Sequence, residues 1–164
     1  MSLVSTLLPH SPLLRRLTLV ATTIALAACD TPVVFDHYEH TPLAGWEKND
    51  TLFYDIPPLR QSGRYREEIG LRTNEDFPFQ RLCLVIEQTA YPSAMHRIDT
   101  VFYSLVSKQG IPEGDGVSLY QKTFPLRTIK LNEGDSLHIS IRHNMKREIL
   151  PGISDVGLKI SLAP

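Results

Sequence analysis

The sequence predicts an all-β fold: an antiparallel β-sandwich of the jelly-roll or immunoglobulin-like kind, with about eight short strands. Three observations predict it. Apolar residues recur at every second position in one segment after another, the period of a half-buried strand. Turn-forming clusters such as Gln109–Gly116 and Asn132–Asp135 separate those segments. Beyond residue 28 no stretch sustains the three-and-four spacing of an amphipathic helix.

Taken in order, residues 29–49 read as a tether and entry segment, and residues 50–164 as the sandwich domain. Asp30-Thr31-Pro32 is polar and extended, and Val33 to Tyr38 has the composition of a sheet-edge strand. Residues 51–56 form a strand stopped by Pro57-Pro58. In 64–73, Tyr65, Ile69 and Leu71 share one face, with Arg64, Arg66, Glu68 and Arg72 on the other. Residues 81–88 have a nearly continuous apolar centre, which predicts a central strand covered on both faces. Residues 99–106 are rich in β-branched and aromatic side chains, which favour strands. Two more short strands are predicted over 117–122 and 124–130. Leu137, Ile139 and Ile141 alternate with His138, Ser140 and Arg142, the cleanest half-buried strand in the chain. Met145 to Leu150 reads as one helical turn closed by Pro151-Gly152. In the last strand Val156, Leu158, Ile160 and Leu162 alternate with Gly157, Lys159 and Ser161.

The 164 residues, 42% hydrophobic and 21% charged, suit one globular domain rather than a disordered or collagen-like chain. A formal net charge of −1 disfavours nucleic-acid binding, which goes with a clustered basic excess. Residues 1–28 read as an address. Arg15 and Arg16 precede an apolar run from Leu17 to Ala28, too short to span a bilayer, which takes about 20 residues as a helix. A basic start, a short apolar centre and small residues at its end make a secretory signal. Leu26-Ala27-Ala28-Cys29 resembles the lipobox of bacterial lipoproteins. The resemblance implies cleavage before Cys29, lipidation of its thiol and a membrane anchor there.

Few residues invite chemistry. Besides Cys29 there is only Cys83, in the apolar run Leu82–Ile86, which reads as a buried, inert thiol. His37, His40, His96, His138 and His143 lack the paired spacing of a metal site and read as surface residues. Glu67 and Glu68 are adjacent, so on a strand they point to opposite faces and cannot flank one bond. There is no nucleophile elbow and no phosphate loop, and Gly114-Asp115-Gly116 is a turn. The single Trp46 reads as a packing residue, with sugar stacking as its alternative. No catalytic, cofactor-binding or metal-binding residue is expected.

Four stretches, in this order, resemble one known family: Gly45–Asp50, Leu71–Phe79, Gly134–Ile141 and Leu150–Ile160. Together with the lipobox they are similar to the GldH family of gliding-motility lipoproteins, over nearly the whole of residues 29–164. The resemblance implies a lipid-anchored component of the cell envelope, at the outer membrane, working with motility proteins and the neighbouring type IX secretion machinery. It implies no catalytic motif and names no small-molecule ligand. The leading expectation is thus a non-enzymatic assembly or scaffold protein. One alternative is a glycan-binding lipoprotein using Tyr54, Tyr91, Tyr103 or Tyr120. A remoter one is a hydrolase with two facing carboxylates from separate strands.

Overall fold

The structure, a computed structural model, describes residues 32–164. Cys29 and the segment 1–28 lie outside the described residues. Ten strands follow one another: β1 (Val33–His40), β2 (Trp46–Glu47), β3 (Leu52–Ile56), β4 (Gly63–Thr73), β5 (Arg81–Tyr91), β6 (Met95–Ser104), β7 (Tyr120–Leu131), β8 (Ser136–His143), β9 (Ile149–Leu150) and β10 (Ile153–Leu162). One four-stranded sheet has the order β1-β10-β4-β7 and the other β3-β8-β5-β6, with β2 and β9 paired as a small ribbon. All the pairings are antiparallel. The eight long strands are distributed over the two sheets in the order of a jelly roll, not of an immunoglobulin domain.

The core is the alternation made physical. Tyr65, Ile69 and Leu71 of β4 face Leu84, Ile86, Ile139, Ile141, Leu158 and Ile160 in one buried cluster. The Tyr54 hydroxyl donates to the Val156 carbonyl at 2.7 Å, tying β3 of one sheet to β10 of the other. β5 is central, between β8 and β6. Its outer side is covered only near Cys83, whose backbone N–H meets the Met145 sulfur at 3.3 Å. Farther along, Glu87 is exposed. The cover on both faces expected from the sequence therefore extends over only part of the strand.

Two local expectations are corrected. Residues 117–122 and 124–130 are not two strands: Tyr120–Leu131 is one, interrupted by a bulge. Glu67 pairs with Arg127 and Glu68 with Pro125, so Leu126 is the extra residue. The bulge switches which parity faces inward: Phe124 and Leu126 up to it, Arg127 and Ile129 after it. A broken alternation in sequence then reads as a break in the strand. Pro125 is tolerated because β7 is an edge strand. Nor is there a helical turn at Met145–Leu150. That stretch bends and delivers Ile149–Leu150 to pair with Trp46–Glu47. Local propensity is outweighed there by burial of Leu150 and Trp46.

Glu67 is buried completely. Glu67 accepts from Gln88 Nε2 at 2.8 Å and from Arg127 Nε at 2.5 Å. Arg127 also donates to Gln88 Oε1 at 2.8 Å and pairs with Asp99. The network joins β4 and β7 of the first sheet to β5 and β6 of the second. Removing one partner of a buried pair costs about 3–5 kcal/mol because the other charge is stranded, while an apolar replacement of the set can be neutral. Arg127→Ala is therefore expected to lose that much stability in chemical denaturation. Adding Glu67→Gln to it should recover a large part. A loss under about 1 kcal/mol for the single variant would mean the pair is effectively solvated.

Candidate functional site

The strands run up and down, so the connections gather at two ends. One end holds Pro32, residues 57–62, 92–94 and 132–135. The other holds residues 41–51, 74–80, 105–119 and 144–152. Three of the four stretches that carry the family resemblance converge on this second end.

They lock together through backbone and aromatic contacts. The buried Trp46 donates from its indole to the Asp50 carbonyl at 3.0 Å, and its ring meets His143 edge-on at a centroid distance of 5.2 Å. His143 is buried, not a surface histidine: it follows Leu137, Ile139 and Ile141 in the same parity, and that pattern could have exposed it. The Met145 N–H donates to His143 Nδ1 at 3.3 Å, so Nε2 carries the proton and donates to the Trp46 carbonyl at 3.0 Å. Only the neutral ring satisfies both bonds. Burial accordingly holds its pKa below the ordinary value, opposed by the bond to Trp46.

Asn74 and Gly152 join the other two stretches. The Asn74 N–H donates to the Gly152 carbonyl at 2.9 Å, and the Asn74 side chain caps the Asp76 N–H at 2.9 Å, an Asx turn. Phe77 and Phe79 bracket the turn edge to face. Gly152 has φ +81°, and its missing side chain would collide with the Phe77 backbone, so glycine is required on two counts. Beside it lies a cleft of about 350 Å³ between Thr41, Leu43, Asn74, Asp76, Ser154 and Asp155. The buried Asp155 at its wall pairs with His40 and stands 3.9 Å from Arg72. Arg72 in turn stacks 4.2 Å above the Tyr38 ring. That ring lies flat where Gly70 and Gly157 have no side chains, so Gly157 serves close packing. Burial raises the Tyr38 hydroxyl pKa, with Arg72 pulling the other way.

This end offers shape and polarity without an evident reaction centre. Among the described residues no group of three or more His, Cys, Asp or Glu side chains is placed to hold a metal ion. Glu67 and Asp99 do approach from separate strands, but Arg127 lies between them and binds both. Glu75 and Asp76 are exposed. Burial raises the Cys83 thiol pKa, which disfavours the thiolate. The aromatics named for a glycan platform are dispersed. Tyr54 and Tyr103 are buried, with burial pushing the Tyr103 hydroxyl up to about 12. Tyr91 and Tyr120 are at opposite ends. Trp46 is a packing residue with no free face. Sequence reasoning did not name Tyr38, Arg72, Asp155, Gln88 or Arg127 as working together, because their contacts join distant strands.

A jelly-roll domain with a packed interior and one elaborated loop end belongs to the class of small β-sandwich modules that present loops. The family model described as GldH lipoprotein matches residues 33–160. The chain belongs to the GldH lipoprotein family. "Gliding motility lipoprotein GldH" of Flavobacterium johnsoniae is 30% identical to it over 149 residues, 87% of this chain and 92% of that protein. "Gliding motility lipoprotein GldH homolog" of Christiangramia forsetii is 25% identical, over 86% of this chain and 91% of that protein. A solved family 35 carbohydrate-binding module from Clostridium thermocellum shares 16% identity over 84% of this chain and 95% of that one. Its TM-score of 0.42 is too low to carry an argument.

The neutral, buried His143 fixes a direction for pH dependence. A histidine whose folded pKa lies below its unfolded value, near 6.5, takes up its proton more readily when unfolded. Its contribution to stability is complete above that value and is lost as pH falls below it. Melting temperature should thus fall between pH 7 and 5, and His143→Gln should flatten the fall. An unchanged slope in the variant would assign the effect elsewhere.

Proposed function

We propose that this protein is a non-enzymatic assembly component of a gliding-motility and type IX secretion-associated machinery. It is anchored in the outer membrane through lipidated Cys29 and works through its loop end. The observation that carries this reading is the convergence of Gly45–Asp50, Leu71–Phe79 and Leu150–Ile160 at one end. Family membership and the names of its relatives support the motility context. The lipobox at Cys29 supports the anchor. Two-dimensional confinement on a membrane raises the effective concentration of other anchored proteins, as a short linker does.

The test has two parts. Cys29→Ala should abolish lipid labelling and release the protein from membranes. Leu43→Asp combined with Asp76→Arg changes two residues on the rim of the cleft. Folding and membrane level should be retained, while complementation of a deletion strain and crosslinking to other envelope proteins are lost. Both side chains are exposed, so the stability cost should stay within about 1 kcal/mol. Full complementation by the double variant would refute the loop end as the working surface.

A further inference from the structure

The end opposite the cleft is built to lie on lipid. The lipobox residue Cys29 is three positions from Pro32, and Pro32 is already fixed, its carbonyl accepting from Leu162 N–H at 2.9 Å. A fully extended chain spans at most about 3.6 Å per residue, so Pro32 lies within roughly 11 Å of the lipidated residue. The polar zone of one leaflet is only about 5–7 Å thick. With so short a tether, this end has no room to stand off from the headgroups.

Its surface suits that position. Val33 is 49% exposed, Val34 40% and Tyr91 58%, and Pro57 and Pro58 are exposed beside them. Arg60, Arg64 and Lys130 are exposed at the same end, against two exposed acids, Glu133 and Asp55, and Asp55 is paired with His138. The loops at this end are gathered around one buried residue. Asp135 accepts from Ser93 N–H at 3.2 Å and Asn132 N–H at 3.0 Å, while its backbone carbonyl takes Leu59 N–H at 2.9 Å. The exposed side chains are thus presented on strand ends (Val33, Val34, Tyr91, Lys130) and on a pinned loop (Pro57, Pro58, Arg60), at little ordering cost on binding.

The geometry points to this end as a membrane-docking surface that binds an anionic bilayer directly. Val33, Val34 and Tyr91 enter the headgroup zone, and Arg60 and Lys130 meet lipid phosphates. This rests on the anchoring at Cys29 proposed above. Apolar side chains at the headgroup boundary and cations near an anionic surface reinforce one another. The strands then rise from the membrane. The 11 residues of β4 at about 3.3 Å each carry the cleft roughly 35 Å outward.

The test uses the lipidated protein in vesicles of phosphatidylethanolamine and phosphatidylglycerol, with about 20 Gly/Ser residues inserted between Thr31 and Pro32. At that length tethering alone no longer holds the end at the surface. An environment-sensitive label is attached at Ser93→Cys or at Leu43→Cys, and quenching by lipid-borne quencher is read. Quenching should persist at position 93 despite the long tether and be absent at position 43. Arg60→Glu with Lys130→Glu should lower the docked population at least about tenfold at low salt, since each cation near an anionic leaflet contributes roughly a fivefold factor. High salt should act in the same direction. Quenching lost on tether extension would overturn the proposal, as would crosslinking of position 93 to a second copy or another protein instead of lipid. Failure of the anchor itself is distinguishable, because the protein would then not float with the vesicles at all.

Discussion

The guanidinium of Arg127 is the contact on which the two sheets depend at one side of the sandwich. At the other side β1 and β3 come together, and the Tyr54 hydroxyl ties β3 to β10. Where β6 and β7 face each other, Glu67 of β4 is fully buried. Arg127 supplies the charge and the donors, and Gln88 and Asp99 take up what remains. The bulge at Leu126 makes this possible. Without the extra residue, Arg127 and Phe124 could not both face inward, and Phe124 would lose its stack on Tyr103 at 4.4 Å. A single register shift thereby serves both a charge pair and an aromatic pair.

That closure leaves two ends with different characters. At the Pro32 end, short connections are gathered around the Asp135 carboxylate. At the far end the connections are long, and they are held by Trp46, His143, the Asn74 turn and Gly152. The up-and-down course of the strands separates the two by the length of a strand. With the anchor proposed at Cys29, three residues before Pro32, the domain would keep one end on lipid and hold its elaborated loops clear of it.

Much of the fold was open to reading in the sequence. Tyr65–Thr73 and Leu137–Arg142 are nearly period two and their burial follows that pattern, while Leu82–Gln88 and Val156–Leu162 read as strands whose burial is more continuous. The failures lie where the period breaks for a tertiary reason. At Leu126 a bulge breaks it, and at Met145–Leu150 pairing with Trp46–Glu47 overrides local helical preference. Glu67 and His143 sit in inward registers and could have been found by extending the alternation to polar residues. A charged or titratable side chain is ordinarily placed outside, and only a partner from another strand reverses that expectation.

The sequence alone determined the all-β class, the positions of most long strands and the resemblance carried by Gly45–Asp50, Leu71–Phe79, Gly134–Ile141 and Leu150–Ile160. Those are matters of short-range periodicity, turn chemistry and residue identity, all written along the chain. Only the tertiary structure decided that the strands follow a jelly-roll order. It also decided that Arg127 answers Glu67, that Tyr38 lies over Gly70 and Gly157, and that three of the four stretches meet at one end. Each of those facts joins residues many positions apart through side-chain packing or strand order. Alternation states which face a residue takes, and it carries no information about which distant strand will lie opposite.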